Sequence, residues 1–591
     1  MICQLIILGV MIKLQKFKSY LREIIWERIF LNLKVEVHHN FAGENNLHFY
    51  LLNNDAFPET EFDVIKKEKQ IYYLKLNITN SGVNRCIDNG EYKVLVTDEF
   101  STYSFVEFEG SEDYLAEHCL CLRYLNNVGA YTVTFNMSEG SDEPILSILF
   151  YNANKKAMAY MKNSLAKSNS KTLLQKIKSK LFEKNRKRRY IKNIYSIGKK
   201  LFHSKKENIL FLSEQDDKLA HNMRCIYQKI LARQIDEQYN IFFSLRKKTS
   251  ENVSILSSIK MLLSIIKADI IIVDDHVPAF DWLMLKNTKL IQVWHAGAGF
   301  KGVGYSRWGH KGAPGPFSCH RQYTYCLAGS QEIAHFFSEQ FGILDEQIIP
   351  TGMPRMDEYL DNNHKFNIIN NLIQQYPVLK DKKVILFAPT YRGENRRNAY
   401  YPYEKIDFDK LYDYCVSDNA VVLFKMHPWV SSELPVEEKY KDRFFDFNNY
   451  SDINELFYIT DILITDYSSS MYEYALMNKP MLAYAFDKTQ YSLTRGFHRS
   501  YDDNVPGKVC ETFNELLNSL ESRDFQYDKH EIYMKNHFDY VDTSNSNRVI
   551  DWLILGNLPE MYQNKLNRKV EYIDRIRNKN FSYIFEGSQE E

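Results

Sequence analysis

Between residues 31 and 152 apolar and polar positions alternate in short runs, at 33–37, 48–52, 70–78, 92–97, 104–108 and 130–137. A period of two marks a strand with one buried face, and Asn80-Ser81-Gly82, Asn89-Gly90 and residues 139–141 supply turns between the runs. This stretch reads as an all-β, sandwich-like module without a set of acids, bases or nucleophiles of its own. From residue 208 onward the pattern changes. Apolar runs at 208–212, 239–245, 268–273 and 289–293 alternate with helical periodicity at 217–234 and 253–266, and a second series follows from 347 to 484. Such alternation predicts parallel sheets with helices on their faces, here two Rossmann-like units in tandem. Ligands bind such sheets at the C-terminal ends of their strands, so the cleft between the units is where chemistry is expected.

Between these regions lies a shift in charge. Residues 171–206 hold fourteen Lys and Arg against one acid, Glu183, with Leu173, Ile177, Leu181, Ile191, Ile194, Tyr195 and Leu201 interleaved at helical spacing. A linker, a nucleic-acid patch and a membrane-surface helix compete for this pattern; the apolar stripe favours an anionic membrane surface. The whole chain gives no electrostatic case for nucleic acid, since its 591 residues carry 75 basic and 75 acidic side chains. At 45% hydrophobic and 25% charged residues it has the material for several buried cores. Residues 1–11 are apolar but too short to span a bilayer, and no later apolar run is long enough. Nine cysteines occur without a C-x-x-C pair, which reads as reduced, mostly structural thiols rather than a metal site. The expected organisation is a helical segment over 1–30, the β module over 31–153, the basic helical segment over 154–207, two Rossmann-like domains over 208–346 and 347–545, and a helical tail over 546–591.

Several loops at strand ends carry candidate chemistry. Gly297, Gly299 and Gly302 fit G-x-G-x-x-G, but no acidic residue follows at the spacing a dinucleotide ribose would need. Within the same loop His295 is placed as a general base, or as a loop histidine bonded to backbone, and Lys301 faces an anionic substrate. At the end of the strand at 420–426, Pro428 leaves His427 at the edge, able to donate to a phosphate or to cap the strand. Thr465, Asp466, Ser468 and Ser469 join a buried strand to a helix start, which favours a diphosphate over a simple serine cap. Thr390 and Arg392 offer a hydroxyl and a guanidinium to phosphate oxygens, and Arg495 offers a further cation or a surface ion pair. Walker A, H-E-x-x-H and G-x-S-x-G patterns are absent from the sequence.

Taken together, Trp294-His295-Ala-Gly-Ala-Gly-Phe-Lys301, Thr351-Gly-Met-Pro-Arg355-Met-Asp357, Ala388-Pro-Thr-Tyr-Arg392, Lys425-Met-His427-Pro428 and Thr465-Asp466-Tyr467-Ser468-Ser469 resemble the CDP-glycerol glycerophosphotransferase family. These are the teichoic acid primases and polymerases and related capsule polymerases of bacteria. The resemblance covers residues 208–540, with Ala296 where many members have glycine. It implies a glycosyltransferase-B-like fold, acceptor bound by the first Rossmann domain and donor by the second. It further implies transfer of glycerol phosphate or ribitol phosphate from CDP-glycerol or CDP-ribitol, with CMP leaving. By analogy His295 is the acceptor's base and His427 stabilises the diphosphate. Arg392, Thr390, Thr465, Asp466, Ser468, Ser469 and Arg495 then form the donor site, supported by Gly297, Gly299, Lys301 and Arg355. No cofactor or metal is required by these residues, and metal dependence stays open. An acceptor carried on undecaprenyl diphosphate would place the enzyme at the cytoplasmic face of the membrane, bound peripherally through the basic segment. The competing functions are a sugar-nucleotide glycosyltransferase of the same fold and a non-catalytic scaffold for membranes or wall polymers.

Overall fold

The structure is a computed structural model describing residues 15–38, 47–53, 57–81, 84–98, 102–126, 128–138, 144–152, 184–202, 204–215, 217–246, 255–297, 299, 301–310, 312–393 and 396–581. The apolar stretch at 1–11 and the basic residues 171–183 lie outside them.

The β module begins earlier than the sequence pattern implies. Within the segment expected to be helical, Lys18–Glu27 is a strand, paired antiparallel with Phe30–His38 through a tight turn at Arg28 and Ile29. Arg28 takes a left-handed conformation with φ 55°. Tyr20, Leu21 and Ile24 are buried, while Ile25 and Trp26 carry the β-favouring side chains of this pairing. Pairing across the hairpin outweighs a local helical preference. Twelve described strands hydrogen-bond into one branched, mostly antiparallel sheet rather than the two separate sheets of a sandwich. Leu74 and Val133, from opposite ends of its path, share one core cluster, so the sheet folds over on itself.

Two parallel six-stranded sheets follow. In the first, the strands Asn208–Ser213, Asn240–Leu245, Ile270–Val273, Lys289–Gln292, Tyr325–Leu327 and Ile348–Ile349, numbered in chain order, lie 2-1-3-4-5-6. The second contains Lys383–Phe387, Ala420–Phe424, Phe444–Asp446, Ile462–Thr465, Met481–Tyr484 and Lys508–Cys510 in the order 3-2-1-4-5-6, that of a dinucleotide-binding sheet. The strands Asn208–Ser213, Ile270–Val273, Ala420–Phe424, Ile462–Thr465 and Met481–Tyr484 are buried along their whole length, as a parallel sheet between helices requires. Ile348–Ile349 corrects the expected boundary at 347: these two residues pair with Cys326 and Leu327 and complete the first sheet. A two-residue apolar run carries no period that could assign it to either sheet.

Helix α1, Lys184–Leu201, is packed rather than free. Its Tyr195 is buried and its hydroxyl accepts from the Lys286 amide at 2.9 Å, and Gly198 lies so close to Ile266 of α2, Ile255–Lys267, that a Cβ would sit 2.9 Å from it. The β module is joined to the first α/β domain by Trp308, which inserts between Tyr124 and Tyr131 with ring centroids 5.5 and 5.2 Å away. Arg321 adds a hydrogen bond to the Thr79 carbonyl at 2.6 Å. At its other side the module is held by α3, Glu560–Arg577, through Tyr572 to Glu61 and Arg577 to Glu59. Among the described residues no helix is long and apolar enough to cross a membrane.

Candidate active site

The C-terminal strand ends of the two parallel sheets face one cavity of about 600 Å³. From the first domain it is lined by His295, Lys301, Arg307 and Arg355, and from the second by Thr390, Lys425, His427, Ser468, Ser469 and Arg495. Five Lys or Arg side chains and one carboxylate, Glu473, which is paired with Arg355, make this a cation-lined site. That composition suits an anionic, phosphate-bearing ligand.

His295 follows the strand Lys289–Gln292, and the left-handed Trp294 (φ 45°) turns it out of the sheet so that it is exposed. Its Nδ1 lies 3.2 Å from the Asp274 backbone carbonyl. A carbonyl only accepts, so Nδ1 carries the proton and Nε2 is left with its lone pair. The loop is braced from behind: Asn222 Nδ2 donates to the carbonyls of Val293 and Trp294 at 2.9 and 2.8 Å, and Arg355 donates to that of His295 at 2.9 Å. Asn222 Oδ1 in turn accepts from the Arg355 amide at 3.0 Å.

His427 has the opposite tautomer. Its Nδ1 accepts from the Trp429 amide at 3.2 Å, which leaves the proton on Nε2. The ring is packed against Tyr391 and Trp429, with centroids 4.6 and 5.4 Å away. Burial pushes its imidazolium down to about 4, and the Lys301, Arg495 and Lys425 cations act in the same direction, so the ring is neutral at pH 7. The preceding Lys425 is tied to the Asn448 carbonyl at 2.8 Å. Across the cavity, therefore, one histidine presents a base and the other a neutral N–H donor.

The remaining candidates separate into two groups. Thr390, Ser468 and Ser469 line the cavity, and the Thr390 hydroxyl is buried with no hydrogen-bond partner. Ser468 Oγ accepts from the Ser470 hydroxyl at 2.8 Å, and the helix they open, Ser470–Ala475, has only six residues, so hydroxyl groups rather than a long helix dipole are what it offers. Arg495 reaches the cavity while donating to Tyr391 and to the Gly393 carbonyl at 2.8 and 2.9 Å. Lys301 lies in the wall; burial lowers its ammonium to about 8, against the pull of Asp466, with Arg495 and Arg392 adding to the lowering. Its backbone pairs with Phe497, so this loop bridges the two domains.

Arg392 and Thr465 do not line the cavity, which corrects their expected place among the phosphate ligands, and neither does Asp466, whose expected part is to orient neighbouring groups. Arg392 is 8% exposed and grips Asp487 through Nε and Nη2 at 2.6 and 2.8 Å and Asp466 through Nη1 at 2.8 Å. Burial lowers its pKa, but the two carboxylates outweigh burial and hold it above the ordinary value. Asp466 accepts from the amides of Thr390 and Tyr467 at 2.7 and 2.5 Å, and the Thr465 hydroxyl donates to the Ala388 carbonyl at 2.8 Å. These three shape the loop that presents Thr390. At Gly297 an added Cβ would stand 2.3 Å from the Tyr472 ring, so the bare glycine lets this loop pack against a side chain of the second domain. Gly299, at φ 72°, supplies the left-handed turn that only glycine adopts freely.

The family model for CDP-Glycerol:Poly(glycerophosphate) glycerophosphotransferase matches residues 194–555. The chain belongs to this family. The teichoic acid ribitol-phosphate polymerase TarL of Staphylococcus aureus is 32% identical over 572 residues, 90% of this chain and 99% of that protein. A teichoic acid poly(ribitol-phosphate) polymerase of Bacillus spizizenii is 36% identical over 367 residues, 62% of this chain and 59% of that protein. The solved wall teichoic acid polymerase TagF superposes with a TM-score of 0.50 at 24% identity, over 66% of this chain and all of that one, a likeness of fold. For this family member the sequence reading gives Arg307 and Lys425 no role in the site and misses Asn222 and Asp487 altogether. Arg307 and Lys425 lie within or beside recognised motifs and were legible as cations. Asn222 and Asp487 act through partners more than 70 residues away in the chain, and no local spacing reveals them.

Proposed function

We propose that this polyol-phosphate transferase uses a CDP-polyol, ribitol first, to extend a lipid-linked acceptor, and that the cavity between its two parallel sheets is where transfer occurs. The observation that carries this reading is the opposed pair of histidine tautomers in a cation-lined cleft. His295 Nε2 takes the proton of the acceptor hydroxyl as its oxygen attacks the phosphorus nearest the polyol. The bond from that phosphorus to the bridging oxygen breaks, and CMP leaves with the electron pair. His427 Nε2–H donates to the diphosphate, where a neutral donor needs no proton loss to stay in register. Lys301, Arg495, Thr390, Ser468 and Ser469 hold and neutralise the phosphates, so most of the catalysis is positioning and charge compensation. Arg392 and Asp466 are assigned to support, and Gly297, Gly299 and Arg355 to holding the His295 loop. We read the two domains as a glycosyltransferase-B-like pair, acceptor on the first and donor on the second.

Ribitol is preferred because the relatives cited above, one of them aligned over nine-tenths of this chain, are ribitol-phosphate polymerases. The membrane reading is supported by an exposed apolar stripe: Tyr190, Ile194, Ile197 and Leu201 on α1 run beside Leu256, Ile259 and Leu263 on α2. Lys187, Arg189, Lys192, Lys200 and Lys260 are exposed among them, the pairing of grease and positive charge that an anionic bilayer surface rewards. An acceptor on undecaprenyl diphosphate at the cytoplasmic face would meet the enzyme there. The test is nucleotide release from CDP-ribitol, CDP-glycerol and a UDP-sugar panel with a lipid-linked acceptor. CMP from CDP-ribitol supports the full reading; CMP from CDP-glycerol alone changes the polyol; turnover of a UDP-sugar alone rejects the reaction.

A further inference from the structure

The loop that braces His295 carries a second cluster of reactive side chains. After the strand Ile270–Val273 the chain passes Asp274, whose carbonyl binds His295, and turns through the short helix Pro278–Asp281. This turn packs against another, Cys319–Gln322, brought from beyond the glycine-rich loop. There His276, Asp281 and Cys319 converge, with one potential ligand atom from each lying within 4.8 Å of the others. His276 Nε2 is 2.8 Å from Asp281 Oδ1, which also accepts from the Cys319 amide at 2.9 Å. The two turns are stapled together by Gln322, whose amide donates to the carbonyls of Phe280 and Leu283 at 2.6 and 3.1 Å.

We propose that His276, Asp281 and Cys319 bind a divalent transition-metal ion, zinc by the character of the donors. A thiolate, an imidazole and a carboxylate together disfavour magnesium and calcium, which take oxygen donors, and match the N, S and O set of zinc. Tetrahedral bonds of about 2.0–2.3 Å place ligand atoms about 3.3–3.8 Å apart, so His276 Nε2 and Asp281 Oδ1, 2.8 Å apart, part as an ion enters, within the 4.8 Å that spans the cluster. Binding displaces the proton shared by His276 and Asp281 and the thiol proton of Cys319 to solvent, and the imidazole ligates through Nε2 in its neutral form. Three protein ligands leave a fourth position for water. Cys319 is 1% exposed, whereas the His276 and Asp281 side chains are 31% and 35% exposed, so the ion enters from the solvent side against a buried sulfur. The Cys319 amide, already donating to Asp281 Oδ1, holds the carboxylate in its orientation toward the ion. The ion would lock the 274–281 loop, and with it the backbone carbonyl that fixes the tautomer of His295. The sequence hides this set because its members come from two turns separated by a strand and a loop.

The test uses the purified full-length chain, whose zinc content after reloading with zinc and dialysis is read by mass spectrometry. The chain stripped with a chelator is then loaded with cobalt(II) and read by absorption, since a thiolate ligand gives a sulfur-to-cobalt charge-transfer band. The expected result is one ion per chain and a band that vanishes in Cys319→Ser, weakens in His276→Ala and persists in Cys121→Ser, a change at an exposed cysteine of the β module. No retained metal in the parent, cobalt uptake without the thiolate band, or a band that survives Cys319→Ser would each overturn the proposal. Should Cys319→Ser fail to fold, His276→Ala decides: an undiminished band there refutes the site.

Discussion

Replacing Arg392 by methionine separates a structural cation from a phosphate ligand. Its guanidinium makes three hydrogen bonds to Asp466 and Asp487 and a fourth to the Thr390 carbonyl at 2.6 Å, at 8% exposure. Arg392→Met keeps most of the volume but strands two carboxylates, of which Asp466 is fully buried. Breaking a buried ion pair from one side costs about 3–5 kcal/mol, because the remaining charge is left uncompensated. At about 2–4 °C per kcal/mol for a domain of this size, the melting temperature of the second α/β domain falls by about 6–20 °C. Differential scanning calorimetry reads that fall, and donor titration below the transition reads affinity. Adding Asp487→Asn should recover part of the loss, since it removes one stranded charge. An unchanged melting temperature with weakened donor binding would refute the assignment and return Arg392 to the phosphate site.

Lys301 should set an alkaline limb. Its ammonium is lowered to about 8, so the cation is lost as pH rises through 8, and kcat/KM for the donor should fall there while Lys301→Arg keeps its rate to higher pH. A flat profile in the parent would contradict this. Gly297→Ala forces a Cβ to 2.3 Å from the fully buried Tyr472, an overpacking cost of about 1–3 kcal/mol that Tyr472→Leu should relieve in a double-mutant cycle; additive losses in thermal unfolding would show that the two do not meet. Ile194→Ser with Leu201→Ser removes apolar area from the exposed α1 stripe and should weaken co-sedimentation with anionic liposomes without changing turnover of a soluble acceptor analogue. Undiminished sedimentation would count against a membrane role for this face.

What the chain makes legible depends on how far apart the cooperating residues lie. Alternating apolar runs reveal buried parallel strands because each strand is locally complete, and the ends of those strands bring His295 and His427 into view. The strand Lys18–Glu27 is concealed because its stability comes from pairing with residues ahead of it, not from its own period. Arg392 beside a threonine at a strand end reads as a phosphate ligand until Asp487, ninety-five residues later, is seen to hold it. Ser468 and Ser469 are visible as hydroxyls, yet the brevity of their helix is a tertiary fact. The tautomers are legible only in three dimensions, since one depends on the Asp274 carbonyl and the other on the Trp429 amide.

The division of labour between the two histidines is tested most directly by His295→Asn, assayed for CMP release with CDP-ribitol and a lipid-linked acceptor alongside calorimetric binding of the donor. The asparagine amide can still donate to Asp274 but cannot take a proton. Loss of about 10²–10⁴-fold in turnover, with donor affinity retained, is the predicted result. Turnover within a few-fold of the parent would remove His295 from the chemistry and contradict the account.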